Sequence, residues 1–425
     1  MGIRRLKSSE VEAFVRERSR SPFDEATLRA AAAIVGDIRQ RGEPALRRYA
    51  KQFDGRPDDA PLIYERSELL EALNRLPRED REMLERVAGR IRAFAEAQRA
   101  SMRNLSTTAD GFEVGHVLEP VRRAGCYAPG GRYPLPSSVL MTAIPARAAG
   151  VAVVLVASPR PEPITLAAAA VAGVEALVPV GGAPAIAALA YGAGPIAPVD
   201  VIAGPGNQWV TAAKHVVSRD VRIDMLAGPS ELLIIADSSA DPAVVAADLL
   251  AQAEHDPQAR PMALVLDPGV ADSLEIELAR RLETLPTRGV AEQALVNHGF
   301  LAVVESVDEA IRLADGIAAE HVQIVAEQSE LIAKRIAHAG ALFIGCGAAE
   351  VFGDYGVGPN HTLPTGGGAR GRSGLSVLDF LRVRAFIREH GSVPRSDAIV
   401  RDTAALARLE RLEAHARAAE MRHSR

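Results

Sequence analysis

The chain has 425 residues, which is enough for two or three domains that each bury a core. Hydrophobic residues make up 48% and charged residues 24%, as is usual for a globular protein, while aromatics make up only 4%, so we expect an aliphatic core. With 49 basic and 54 acidic residues the net charge is −5, which argues against nucleic-acid binding as the main function.

The cysteine content and the lengths of the apolar runs indicate the cellular location that we expect for the protein. Cys126 and Cys346 lie outside any CxxC spacing, which indicates reduced thiols in a cytoplasmic protein. The first 20 residues are basic but lack an apolar stretch, so no signal peptide is predicted. Glycine and proline interrupt the most apolar region, 164–204, before any run reaches the roughly 18 residues of a spanning helix. We therefore expect no membrane partner.

Residues 1–117 form the first region of the chain. They are highly charged, and their apolar positions recur at spacings of three and four, as amphipathic helices require. The pattern predicts a helical N-terminal region, which we expect to pack on a later domain over residues 239–378.

Short β-rich runs alternate with alanine-rich helical segments from about residue 118. VAVVLVAS precedes ITLAAAAVAGV, and DVIAG precedes NQWVTAAKHVVS. Such alternation predicts parallel sheets with helices on both faces, whose buried strands read as continuous apolar runs. No internal repeat stands out. The predicted fold class is α/β, with two doubly wound, incomplete Rossmann-like domains over 118–238 and 239–378 and a helical C-terminal tail over 379–425.

Four places bring together residues that bind metals or transfer protons. In the predicted helix DPAVVAADLLAQAEH, Gln252 and His255 are three apart and therefore share a face, and Asp256-Pro257 ends the helix. The other three places are Glu320-His321, Asp354 with Asn360-His361, and Glu410 with His415.

Each of these places has an ordinary structural explanation when it is taken alone, such as a solvated helix end, a helix C-cap or a turn. Together, two histidines, a carboxylate and an amide oxygen match the ligands of a zinc site. A separate Glu-His pair offers a general base beside a carboxylate that orients it or activates water. Spacing does not show whether these segments converge in space.

The loop GPGNQW (204–209) follows an apolar strand and precedes a predicted helix. It has the first two glycines of a GxGxxG dinucleotide fingerprint, but Trp209 occupies the third position, so the motif itself is weak. Its place at the carboxyl end of a strand is nevertheless where open α/β sheets bind ligands.

Seven separated motifs, in this order, resemble the histidinol dehydrogenase family over nearly the whole chain. They are CYAPGGRYPLPSSVLMTAIPARAAGV (126–151), GPGNQWVTAAK (204–214), IDMLAGPSE (223–231), LLAQAEHD (249–256), AAEHVQI (318–324), GDYGVGPNHTLPTGGGAR (353–370) and LEAHARAAE (412–420). The resemblance implies oxidation of L-histidinol to L-histidine, through the aldehyde, with two NAD and one zinc ion per subunit.

The resemblance also implies roles for individual residues. Glu320 and His321 are the implied acid/base pair, and the active site is shared within a homodimer, with Glu410 and His415 coming from the partner. The implied zinc ligands are Gln252, His255, Asp354 and His415. The implied substrate contacts are Ser230, Gln252, His255, His321, Asp354, His361, Glu410 and His415. The implied NAD contacts are Tyr127, Asn207 and the residue at position 184.

Two positions depart from the family pattern. Pro184 stands where the family usually has a glutamine that contacts NAD; proline suits a first helical turn but lacks the amide. Arg132-Tyr133, in PGGRYPL, replaces smaller residues and resembles a paralogous branch that oxidises a sulfonated alcohol, 2,3-dihydroxypropane-sulfonate. A guanidinium suits a sulfonate, although Arg132 could equally form a salt bridge elsewhere.

Two other classes of protein stay open at this point. A metal hydrolase could use the same histidines and carboxylates, and would produce no NADH. A binding protein that has lost activity is favoured by Pro184 and disfavoured by the intact ligand set; absence of stoichiometric zinc would support it.

Overall fold

The computed structural model describes residues 2–18, 22–130, 133–389 and 396–422. The described residues form fifteen strands, which in chain order are β1 (Arg4–Lys7), β2 (Tyr64–Glu65), β3 (Leu105–Ala109), β4 (Phe112–Pro120), β5 (Arg123–Tyr127), β6 (Val153–Ala157), β7 (Ala176–Val178), β8 (Val201–Ala203), β9 (Arg222–Ile223), β10 (Glu231–Ala236), β11 (Arg260–Val265), β12 (Phe300–Val303), β13 (His321–Val325), β14 (Ala341–Ile344) and β15 (Leu381–Glu389).

The same residues form seventeen α-helices, which in chain order are α1 (Ser8–Arg18), α2 (Glu25–Arg41), α3 (Glu43–Asp54), α4 (Arg66–Arg75), α5 (Arg78–Ser101), α6 (Pro136–Ala149), α7 (Pro163–Val171), α8 (Gly182–Tyr191), α9 (Gln208–Val217), α10 (Pro242–Ala253), α11 (Pro268–Thr284), α12 (Arg288–Asn297), α13 (Val307–Ile317), α14 (Ser329–Ala333), α15 (Glu350–Tyr355), α16 (Asp397–Leu409) and α17 (Glu413–Glu420). Within the described ranges, no helix combines the length and apolarity needed to cross a bilayer.

The chain divides into two compact units. Unit 1 consists of residues 1–99 and 121–380, and unit 2 consists of residues 100–120 and 381–425. Unit 1 contains two six-stranded sheets, and unit 2 contains one three-stranded sheet. The mixed α/β fold class expected from the sequence is confirmed.

The first sheet of unit 1 has the strand order β2-β7-β6-β5-β8-β9. All of its pairs are parallel except that β2 runs antiparallel to β7. Numbered from β5, the five parallel strands follow the order 3-2-1-4-5, which is the Rossmann order without its sixth strand. The incomplete Rossmann-like arrangement is therefore present, and its switch point lies between β5 and β8.

The second sheet of unit 1 has the order β1-β12-β11-β10-β13-β14, and all of its strand pairs are parallel. Numbered from β10, this is again 3-2-1-4-5. Both sheets therefore share one strand order, although no internal repeat stands out in the sequence. Strand order is set by long-range pairing and leaves no direct trace in local sequence.

The N-terminal region differs from its prediction. Its strands β1 and β2 extend the second and first sheets respectively. Helix α1 packs on the second sheet through Val11 and Phe14. Helices α2 and α3 instead pack against the first sheet, where Val35, Ile38 and Leu46 join one buried cluster with α8 and α9. The prediction that this region packs on residues 239–378 was therefore wrong for α2 and α3, since an apolar helix face does not specify its partner sheet.

Unit 2 contains strands where helices were expected. Strands β3, β4 and β15 form an antiparallel sheet in the order β15-β4-β3. Asp110 and Gly111 link β3 to β4 with positive φ angles of 47° and 83°, as a tight hairpin turn requires. This Asp-Gly pair between β-rich runs is a hairpin pattern that the helical prediction for 1–117 overlooked. Helices α16 and α17 complete the unit.

Candidate active site

A cavity of about 1030 Å³ opens in unit 1. One wall comes from segments that follow strands of the first sheet, namely 205–208 after β8 and 227–230 after β9. The other wall comes from residues that begin or precede strands of the second sheet, including Arg260, Glu320 and His321. The cavity thus uses the carboxyl edge of the first sheet, where such folds bind ligands, and the amino edge of the second.

His321 is the first residue of β13, and only 3% of it is exposed. Its Nδ1 lies 3.0 Å from the backbone carbonyl oxygen of Glu231, which can only accept, so we assign the proton to Nδ1. The lone pair is then on Nε2, an atom without a hydrogen-bond partner among the described residues. Burial lowers the pKa of His321 to about 4. The ring is therefore neutral near pH 7 and is suited to act as a general base.

Glu320 lies immediately before β13, where Ala318 ends α13 in the left-handed region at φ 52° and turns the chain. Its Oε2 accepts a hydrogen bond of 2.9 Å from the backbone N–H of Glu231. Burial raises the pKa of Glu320 well above its usual range, and the negative charges of Glu231 and Asp354 act in the same direction. Once ionised, such a carboxylate is a stronger base than an exposed one.

Glu231, which the sequence analysis did not single out, holds both members of this pair through its backbone N–H and C=O. Its own buried carboxylate pairs with Arg260 at 2.8 Å and accepts the N–H of Gly366 at 3.1 Å. Glutamate at the start of an apolar strand was the available sequence signal, because a charge is almost never buried without a partner.

A second group of donors beside His321 is suited to a metal ion. His255 Nε2 lies 3.5 Å from Asp354 Oδ2, and His321 Nε2 lies 3.9 Å from Asp354 Oδ1. Gln252 is fully buried in α10, and neither atom of its amide has a hydrogen-bond partner in the described part of the chain. Buried polar atoms are rarely left unpaired, and this set of N and O donors fits zinc.

The charge state of Asp354 agrees with that interpretation. Burial alone would raise its pKa, but the hydrogen bond from His255 and the nearby histidines lower the pKa of Asp354 below its usual value. Burial disfavours the charged form of His255, yet Asp354 raises the net pKa of His255. The aspartate is thus an ionised ligand, and binding a metal requires the histidine to release its proton.

Glu350 is a further member of the group that sequence reasoning missed. Ligand atoms of His255, Glu350 and Asp354 lie within 4.8 Å of one another. Both carboxylate oxygens of Glu350 are buried and lack hydrogen-bond partners among the described residues, and one lies 3.5 Å from His321 Nδ1. Glu350 and Asp354 are four apart on α15, so helical spacing in the sequence pointed to this pair.

The remaining predicted substrate residues divide between the two units. Ser230 and His361 line the cavity, and His361 Nδ1 lies 3.1 Å from the backbone carbonyl of Asp354. Burial lowers the pKa of His361. Glu410 and His415 belong to unit 2, where Glu410 follows α16, His415 lies in α17, and both are exposed.

The three predicted NAD residues belong to the first sheet and to the starts of two helices that follow its strands. Tyr127 ends β5, and its hydroxyl accepts the N–H of Gly182 at 3.0 Å. Pro184 is buried in the first turn of α8. Asn207 caps α9 by accepting the N–H groups of Trp209 and Val210, and it lines the cavity. Arg132, on which the sulfonate alternative depends, lies outside the described residues.

Two Rossmann-ordered sheets around a cavity with an acid/base pair and metal-binding donors define an α/β enzyme. The sequence profile of the histidinol dehydrogenase family matches residues 17–423. The chain is 43% identical to histidinol dehydrogenase of Parasynechococcus marenigrum, with 92% of this chain and 90% of that protein covered. It is 42% identical to histidinol dehydrogenase of Cupriavidus pinatubonensis, with 100% and 98% covered.

A solved structure agrees with these relatives. The crystal structure of histidinol dehydrogenase from Elizabethkingia anophelis matches with a TM-score of 0.90 and 32% identity, covering 99% of this chain and 98% of that one. The chain therefore belongs to the histidinol dehydrogenase family, and the resemblance found in the sequence is confirmed.

Proposed function

We propose that this protein oxidises L-histidinol to L-histidine through the aldehyde, using two NAD, in the last steps of histidine biosynthesis. The observation that carries the proposal is the buried, neutral His321, whose Nδ1 is held by Glu231 and whose Nε2 is directed toward the metal-binding group. A hydrolase would not need a Rossmann-ordered sheet beside that base, and all the relatives described above are named as dehydrogenases.

The metal-binding group would hold the substrate. We assign Gln252, His255 and Asp354, with His415 of the partner subunit, as ligands of one zinc ion per subunit. Bound zinc would supply a Lewis acid that anchors and orients the amino alcohol. Ser230 and His361 line the same cavity and would contact the substrate, as would Glu410 of the partner.

The acid/base pair would move the protons. Nε2 of His321 takes the hydroxyl proton while the carbinol carbon loses a hydride, for which NAD is the acceptor. Glu320 then takes a proton from water as its oxygen adds to the aldehyde carbon. His321, after releasing its first proton, takes the hydroxyl proton of the hydrate in the second oxidation. Burial of both residues keeps bulk water from competing for these protons.

The first sheet would hold the cofactor. Tyr127 and the loop that leads to Asn207 lie at the switch point between β5 and β8, where Rossmann-type sheets bind dinucleotides. Pro184 would contact NAD through its ring alone, without the hydrogen bonds of an amide.

We further propose a homodimer whose partner completes each active site. One chain contributes three of the four assigned ligands, and the fourth, His415, is exposed in unit 2, where a partner subunit could reach it. Unit 2 exposes large apolar side chains, including Ile387 at 75% and Leu409 at 82%, which suits a surface covered by a second subunit. The unpaired thiols Cys126 and Cys346 agree with a cytoplasmic location.

Product stoichiometry tests the proposal. The zinc-loaded protein is given NAD with L-histidinol, and NADH and histidine are counted. Two NADH and one histidine per histidinol are expected. One NADH with release of the aldehyde, or none, would contradict the proposal, and turnover of 2,3-dihydroxypropane-sulfonate alone would assign the chain to a different substrate.

A further inference from the structure

The side chains of Lys214 and Asp224 form an ion pair that is sealed inside unit 1. Only 2% of the Lys214 side chain and none of the Asp224 side chain is exposed, and the two groups are in direct contact. Lys214 lies in α9, while Asp224 follows β9. Neither residue lines the cavity or belongs to the acid/base pair or the metal-binding group.

Both charges of this pair act on one residue, Gly204. Asp224 Oδ2 accepts the backbone N–H of Gly204 at 2.7 Å, and Lys214 Nζ donates to the backbone carbonyl of Gly204 at 3.0 Å. Gly204 begins the segment 204–207, which we call the cofactor loop because it ends at Asn207. The pair therefore holds the start of this loop through both backbone polar groups of one residue, the N–H and the C=O of Gly204.

The opposite side of Gly204 is equally confined. Its φ is +123°, and a Cβ built on it would lie 2.1 Å from the backbone oxygen of Tyr127. Gly204, the first residue of the cofactor loop, is thus packed between the end of β5 and the Lys214–Asp224 pair. Because Tyr127 and Asn207 are both proposed NAD contacts, the pair sets their relative positions.

The pair also fixes the start of the segment that crosses to the second sheet. Asp224 Oδ1 accepts the N–H of Met225 at 2.6 Å, and Thr211, one helical turn before Lys214, donates to the carbonyl of Ala227 at 3.0 Å. Segment 227–230 forms part of the cavity wall and leads to Glu231.

Stability does not by itself account for such a pair. Removing two charges from water costs about as much as their attraction returns, so replacing a buried ion pair by neutral side chains of similar size is often harmless to stability. The two charges restrict the loop to one conformation, because only in that conformation can both Lys214 and Asp224 make their hydrogen bonds to its backbone.

We infer that Lys214 and Asp224 are positioning residues that hold the cofactor loop in the conformation that binds NAD. The inference rests on the proposed role of this loop in NAD binding. Neither side chain touches the reacting atoms, so the pair should affect cofactor affinity far more than the chemical step.

Trp209 offers a fluorescent probe next to the end of the cofactor loop. It is the only tryptophan of the chain, is 38% exposed, and donates its backbone N–H to Asn207. We therefore expect Trp209 fluorescence to change when NAD binds at the end of the cofactor loop, which measures binding independently of turnover.

The test compares the zinc-loaded wild type with Lys214→Met and with the double variant Lys214→Met/Asp224→Asn. The single variant leaves a buried carboxylate without its counter-ion, whereas the double variant removes both charges and should unfold near the wild-type temperature. For the folded double variant we expect the Kd for NAD to rise about tenfold or more, with kcat at saturating NAD within about threefold.

A matched control is available in the same sheet. Arg147 pairs with Glu175 at 2.9 Å, and Glu175 accepts the N–H of Val154, at the amino edge of the first sheet. Arg147→Met should leave the Kd for NAD unchanged. An equal rise in this control, or a folded double variant with wild-type affinity, would reduce the Lys214–Asp224 pair to a purely structural role.

The same titrations separate this inference from the proposed function. A wild type that binds no NAD and makes no NADH from histidinol defeats the proposed function itself. A wild type that binds NAD, with a double variant that binds it equally well, overturns the positioning role alone.

Discussion

At His321, a single backbone carbonyl decides which ring nitrogen is available for catalysis. The carbonyl of Glu231 accepts a hydrogen bond from Nδ1–H, and the backbone N–H of the same residue donates to the carboxylate of Glu320. One residue of β10 therefore aligns both halves of the acid/base pair. In the proposed reaction, this alignment would let two adjacent side chains whose pKa values shift in opposite directions serve different steps.

Replacing His321 tests its role as the base. His321→Ala should retain stoichiometric zinc, because the assigned ligands are intact, and lose turnover by about 10²- to 10⁴-fold, the range of general-base catalysis. Turnover is followed as NADH formation and zinc by elemental analysis. His338→Ala, which changes a histidine outside the cavity lining, is the control and should behave as wild type. Near-normal turnover of His321→Ala would exclude this residue as the base.

The two cysteines should differ sharply in reactivity. Cys126 is buried in β5, and burial raises the pKa of its thiol to about 12, so the reactive thiolate is scarce below that pH. Cys346 is exposed. A thiol reagent at pH 8 should label one cysteine in the native protein and both in denaturant. Rapid labelling of Cys126 in the native state would show that β5 opens locally.

At the scale of secondary-structure elements, the candidate site residues are positioned by the ends of helices and strands. Helix α10 ends at Ala253, so His255 lies in the turn beyond it, while Gln252 stays within the helix. Helix α15 presents Glu350 and Asp354 from one face. The prediction that Gln252 and His255 share a helix face was therefore wrong, although the turn still brings both to the same group, whereas the spacing rule does hold for Glu350 and Asp354 within α15.

Gly204 lies at the junction of β8 with α9, and we expect a side chain at this position to destabilise the fold strongly. Gly204→Ala would place a Cβ 2.1 Å from the Tyr127 oxygen at a φ of +123°. We expect it to lower the free energy of unfolding by roughly 2–4 kcal/mol.

The control for this substitution is Gly89→Ala within α5, where a Cβ meets no atom within 4 Å. It should raise the free energy of unfolding by about 0.5–1 kcal/mol, since alanine is the better helix former. Urea unfolding measures both variants. Equal stability of Gly204→Ala and the wild type would mean that the β5–β8 contact is looser than described.

At the scale of the whole molecule, the two sheets share a strand order but use opposite edges. The first sheet lines the cavity with its carboxyl edge and the second with its amino edge, so in the proposed reaction the cofactor and the metal-bound substrate would be held by different sheets. The exposed apolar surface of unit 2 supports the proposal that a second chain completes this arrangement.

Mixing inactive variants tests the shared active site. Co-expressed His321→Ala and His415→Ala chains should regain about a quarter of wild-type activity, because half of the dimers are mixed and each mixed dimer has one intact site. Co-expressed His321→Ala and Glu320→Gln chains should regain none, since both changes fall on the same side of the site. Absence of recovery in the first mixture would place each complete site within one chain.

The α/β class and the family could be predicted from the sequence alone, and so could the candidate site residues other than Glu231 and Glu350. These follow from local properties, namely continuous apolar runs, helical spacing and motifs in a fixed order. Tertiary structure decided what depends on partners distant in sequence. In the folded chain, Glu231 makes hydrogen bonds to both Glu320 and His321, the two sheets have the same strand order, and α2 and α3 pack on the first sheet. Hydrogen bonding between segments and the packing of helix faces choose among partners that local sequence leaves equivalent.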